Sequence, residues 1–511
     1  MRCVAGVGLL VLVGCNQIFG LTPARTWDAQ IDVPPDMPHV LFTWQLATSQ
    51  PSGAPAALQY PAFTGTSAPT MRIAPIDGPF TPADYLTTPD EMSGWILIPR
   101  SYIGATWRFE YTFPGDVPHE VQWAPEDKLG HLVVPMVGRL GRTAAPTDSG
   151  YVITPSNYSG GYTFPRVFTT GLWTDAPVIP PSAGSTIVYD FSSAAPLSGL
   201  KGDLDKAQGD RALLVDFITD LGCRVASGSA LLDPPTLEPN VHTPLTVTWD
   251  SGRKKLTAPT IDSIFLERVT TDPLHGDFQM GRLSTMLYGA VASTSFPGLI
   301  GTPPPLSSIS LPIPLMHTLL KCPYNAPMLP DTASPALLDD FPRVLHLQLV
   351  VSRPVPALGT SLTGGLETVV ASSAAGGFKL AFPAPFATRI MLATPGNGTL
   401  DLSGASDQLA AGSPTGPFIL TFEPEKGPDL RADYHDVVLH RIVGGALTTE
   451  RIFTVTAARV RIDGALLAPG ADYVLEIRTY KGHAMAAHGD FVPVDYPYGA
   501  AIVYTRTFKT Q

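Results

Sequence analysis

The chain has 511 residues, of which 15% are charged and 44% hydrophobic, and 33 basic against 44 acidic side chains leave a formal net charge of −11. The charge is spread without a like-charged block, which argues against a nucleic-acid face and against electrostatic docking to a membrane. The apolar fraction excludes global disorder, and the length predicts two to four domains. Proline cannot sit inside helices or central strands, so the 53 prolines belong to turns, edges and linkers. With many short Val/Ile/Tyr/Phe/Thr runs, the predicted fold class is all-β, as tandem β-sandwich domains.

In chain order, Met1-Arg2 precedes an apolar run from Val4 to Val13 that is too short for a permanent transmembrane helix but suits an export signal. The run ends in Leu12-Val13-Gly14-Cys15, which resembles the site cleaved by bacterial lipoprotein signal peptidase. The resemblance implies that residues 1–14 are removed and that Cys15 becomes the lipidated first residue. The opening Cys15-Asn16-Gln17-Ile18-Phe19-Gly20-Leu21 is similar to the start of many predicted lipoproteins of predatory Gram-negative bacteria. Residues 15–38, carrying Pro23, Pro34, Pro35 and Pro38 among Asp28, Asp32 and Asp36, lack an apolar period and read as a tether. Cys3 leaves with the signal, so Cys223 and Cys322 are the two remaining thiols, available for one disulfide or separately buried.

The first folded unit is expected over 39–180. From Thr106 to Phe113, Trp107, Phe109, Tyr111 and Phe113 share one face and Arg108, Glu110 and Thr112 the other, the alternation of a half-buried strand. Pro114-Gly115-Asp116 turns the chain into a returning strand at Glu120-Val121-Gln122-Trp123. Trp95–Ile98 and His131–Val134 are further strands. A Pro/Ser/Gly cluster at 180–184 marks a boundary before a second unit, 185–385, with β-rich runs at Leu213–Ile218, Leu245–Trp249, Ile261–Val269 and Val344–Val351. In the last unit, 386–511, Leu467-Ala468-Pro469-Gly470-Ala471-Asp472-Tyr473-Val474-Leu475-Glu476-Ile477 resembles a signature of fibronectin type III-like sandwiches. That likeness implies a structural corner at Tyr473, whose hydroxyl would bond backbone. Phe418–Pro424, Tyr434–Ile442 and Tyr504–Phe508 fit neighbouring strands, with Phe422 where the family usually has Trp.

Searches for catalytic signatures find no Gly-x-Ser-x-Gly elbow, His-Glu-x-x-His helix, P-loop or dinucleotide fingerprint. The single His-Glu, His119-Glu120, lacks a second His one helical turn on. His435 and His440, like His483 and His488, are five apart and would face opposite sides of a strand. Converging in a loop, His483, His488 and Asp490 would offer a metal site. Asp203, Asp205 and Asp210 have some likeness to a Ca2+ loop, but Ala207 and Leu214 stand where an EF-hand needs oxygen. Tyr158, Tyr162 and Phe164 around Ser159-Gly160-Gly161 are either glycan-stacking rings or core residues beside a hairpin. Asp339 and Asp340 diverge in a strand and offer no glycosidase pair. The expected function is therefore a lipid-anchored envelope protein at the outer membrane of a Gram-negative bacterium. It would be non-catalytic, binding an envelope protein or a glycan, adhering or supporting structure, with no nucleic-acid partner. The alternatives are a carbohydrate-binding surface protein and a secreted hydrolase with its site in 185–385.

Overall fold

The computed structural model describes residues 39–46, 68–87, most of 93–123, 131–136, 150–156, short strands between 166 and 311, 343–371 and most of 379–511. The chain is all-β as expected, built of several sheets, and its described helical turns are three-residue 3₁₀ segments such as Pro356–Leu358 and Gly464–Leu466. No helix of the described residues is long and apolar enough to cross a membrane.

Fourteen strands position the features discussed below. They are β1 (Thr70–Pro75), β2 (Trp107–Thr112), β3 (His119–Trp123), β4 (Arg343–Val355), β5 (Thr360–Ala371), β6 (Ala387–Thr394) and β7 (Gly398–Asp401). There follow β8 (Phe418–Pro424), β9 (Tyr434–Val443), β10 (Ala446–Val455), β11 (Arg459–Ile462), β12 (Asp472–Lys481), β13 (Tyr498–Tyr504) and β14 (Phe508–Thr510).

The C-terminal region packs two sheets face to face. One has the order β7-β6-β8-β11, all antiparallel. The other runs β10-β9-β12-β13, with β14 also along β12. Strand alternation puts the odd-numbered residues of β9, β10, β12 and β13 on the inner face, where Phe453, Val437, Ile477 and Val503 lie in one cross-strand row. Against them stand Ile390, Leu392, Phe418, Leu420, Phe422, Val460 and Ile462. Each such side chain contributes about 1.5–3 kcal/mol by leaving water, which makes this core the main source of the region's stability.

The second sheet does not end at its own edges. On one side β13 is joined antiparallel by β5, and β5 by β4, so Val351 and Leu366 continue the same core. That pairing crosses the boundary expected at 385/386. On the other side β10 is joined in parallel by β3, which carries β2 and then β1. The result is one sheet of 18 strands among the described residues. Its outer face bears a second core, in which Met71, Ile73, Trp107, Phe109, Tyr111 and Val121 meet Tyr434, Tyr480 and Tyr498 under Ile96, Ile98 and Phe491. Covered on both faces, β12 is buried at almost every position.

The β2–β3 hairpin follows the expected alternation on its aromatic side and departs from it on the other. Trp107, Phe109 and Tyr111 are in the outer core, but Arg108 and Glu110 are also buried, at 0% and 4% exposure. The polar side of the hairpin faces the space between the two C-terminal sheets instead of water. The connecting turn is as predicted, with Gly115 at φ +84°.

Candidate functional site

Where β3 extends the second sheet past β11, the mouth between the sheets is filled by charge. The hairpin supplies Arg108, Glu110, Glu120 and Gln122; the sandwich supplies Arg451 from β10, Arg461 from β11 and Asp463 just after it. Arg451 Nη1 donates to Glu120 Oε2 at 2.8 Å and is also ion-paired with Glu110. Arg108 Nη1 donates to Asp463 Oδ2 at 2.7 Å and lies 3.4 Å from Glu120 Oε1, while its Nη2 donates to the Gly78 carbonyl at 2.5 Å. The Arg108 guanidinium also sits over the Phe80 ring, 4.4 Å from its centroid. At the solvent side Arg72 Nε donates to Glu110 Oε1 at 2.6 Å, and Arg461 pairs with Asp463.

Gln122 adds a different contact. Its Nε2 donates to the Arg461 carbonyl at 2.7 Å and its Oε1 accepts from the Arg461 N–H at 2.9 Å. The carboxamide thus pairs with the backbone at the open edge of β11 as a neighbouring strand would, satisfying groups that an edge otherwise exposes. Burial raises the Glu120 pKa despite the opposing Arg451 and Arg108. Desolvation is therefore a large cost at this seam, offset in part by the ion pairs across it, while the Nε atoms of Arg108, Arg451 and Arg461 stay buried without a hydrogen bond.

A second polar row crosses the outer face. A β-bulge between Leu439 and His440 leaves Glu450 unpaired and sets Thr449 directly opposite His440. Thr449 Oγ1 is 3.2 Å from His440 Nδ1, and His440 Nε2 is 3.0 Å from Glu476 Oε2. Glu476 also accepts from Arg478 Nε at 2.6 Å. Burial pushes against ionisation of Glu476, but the His440 and Arg478 contacts outweigh it and hold the carboxyl at about 2. With Glu476 ionised, His440 donates to it from Nε2, and the Thr449 hydroxyl lies at the other ring nitrogen. The row links three adjacent strands through one imidazole.

His435 and His440 face opposite sides of β9, as their spacing predicts. His435 is packed edge-on against Phe422, ring centroids 4.8 Å apart, and shares a 3.0 Å hydrogen bond with Thr479. Burial pushes its pKa down to about 4. His483 lies on the outer side in a box of rings, with Tyr434 at 5.0 Å and Tyr498 at 5.3 Å, both edge-on. The turn that seats it is held by Asp433 Oδ2, which accepts the Gly482 and His483 N–H groups at 2.8 Å each. His488 closes a 3₁₀ turn after it, and Asp490 is outside the described residues.

Of the residues singled out in the sequence, Tyr473 is seen in full: it is buried, its hydroxyl accepts the Ala468 N–H at 2.7 Å, and its ring stacks on Phe508 at 5.7 Å. The intervening Pro469-Gly470 turn has Gly470 at φ +69°. Cys223 opens the strand Cys223–Leu232. Cys15, Cys322, Tyr158, Tyr162, Phe164, Asp203, Asp205 and Asp210 lie outside the described residues. Among the described residues no three His, Cys, Asp or Glu side chains are grouped to hold a metal ion.

The charged seam is the feature sequence reading missed. Arg108, Glu110, Glu120 and Gln122 alternate with apolar residues as solvent-facing side chains do. The available signal was polar side chains at i, i+2 spacing on both arms of one hairpin, of opposite sign on the first. No family model matches the chain, and no curated protein is similar to it.

Proposed function

We propose that the chain is a lipid-anchored cell-envelope protein of a Gram-negative bacterium, held at the outer membrane through Cys15, with a non-catalytic binding or structural role. The observation that carries this reading is Leu12-Val13-Gly14-Cys15 behind a short apolar run and ahead of a Pro-rich tether. The last unit supports a display role. Its strand orders, β7-β6-β8-β11 and β10-β9-β12-β13, and the hydroxyl-to-backbone bond of Tyr473 fit a fibronectin type III-like module, a common binding platform. The β9–β10 hairpin tip leaves Val443 52% exposed beside Gly444 and Gly445, a loop of the kind that presents contacts. Fold likeness alone does not assign a ligand.

Two measurements test the proposal. Cys15→Ser should abolish metabolic labelling by palmitate and release the protein from the membrane fraction; unchanged membrane association would overturn the anchor. Immobilised protein spanning residues 22–511 should retain a specific envelope protein or glycan from a solubilised envelope and a glycan array. Retention of neither would overturn the binding role.

A further inference from the structure

No further inference is drawn: the strongest candidate, the Thr449–His440–Glu476 side-chain row on the outer face of the second C-terminal sheet, has its polar atoms spent on one another and on Arg478, and nothing in the structure shows a ligand or substrate that would reach it.

Discussion

The C-terminal sheet meets a neighbour at each of its two edges, and the two junctions are built on opposite principles. At the β13 edge, β5 adds antiparallel and Leu366 merges into the existing apolar core. At the β10 edge, β3 adds in parallel and the inner face is filled by paired charges. An apolar junction gains strength from area and tolerates imprecision, whereas a buried ionic one contributes little net stability when intact and fails badly when one member is removed. The first therefore supplies strength on its inner face, while the second draws strength from the apolar core on its outer face and adds selectivity of register through the charges on its inner one.

The sharpest way to break the contrast is Glu120→Ala, which takes from Arg108 and Arg451 the carboxylate they share and leaves them only Asp463 and Glu110 in the mouth. It should cost about 3–5 kcal/mol in denaturant unfolding, and the loss should be largely insensitive to salt because the pair is shielded. Replacing Glu120 and Arg451 together by Leu and Met should recover most of that loss. Leu366→Ala at the other junction should cost about 2–5 kcal/mol through a cavity, with no second substitution nearby that restores it. If Leu366→Ala were repaired by a charge elsewhere, the distinction between the junctions would be lost.

Acid should act on the core between the junctions. His435 is held neutral by burial, with its pKa lowered from 6.5 to about 4. Between those values the unfolded chain binds the proton that the folded one refuses, so stability is lost as pH falls from 6.5 toward 4, by on the order of 3 kcal/mol. His435→Gln should flatten the unfolding midpoint across that range. Glu476, held at about 2 against 4.5, should give a further loss as pH falls from 4.5 toward 2. A midpoint in the histidine variant that still falls between 6.5 and 4 would remove His435 from this account. The smallest effect is expected from Tyr473→Phe, which deletes the bond to Ala468 and keeps the ring against Phe508; about 1 kcal/mol is predicted in the same unfolding assay.

The sequence made the apolar half of this architecture readable. Trp107, Phe109 and Tyr111 announce a strand face by period two, and Tyr473 announces its own corner through the Pro469-Gly470 turn ahead of it. Both signals are local. The polar half depends on partners that no local pattern reveals: Glu120 finds Arg451 at a separation of 331 residues, and Gln122 finds Arg461 at 339. Alternating Arg and Glu side chains read as solvated until the mouth that receives them is in place. The Thr449–His440 contact was hidden for another reason, since only the bulge at Glu450 brings those two side chains opposite each other. The expected ligand residues Tyr158, Tyr162 and Phe164 and the acidic loop at Asp203 lie outside the described residues.

The separation between β3 and its place beside β10 also governs when the molecule can be finished. At synthesis rates of about 5–20 residues per second, roughly 20–70 seconds pass between the appearance of Glu120 and that of Arg451. Throughout that interval the nascent hairpin has no acceptor, and one of its faces would be an open apolar strand if it matched the aromatic side. Arg108, Glu110, Glu120 and Gln122 instead give the waiting face water-compatible chemistry. The side chains enclosed at the seam are those best suited to being born exposed.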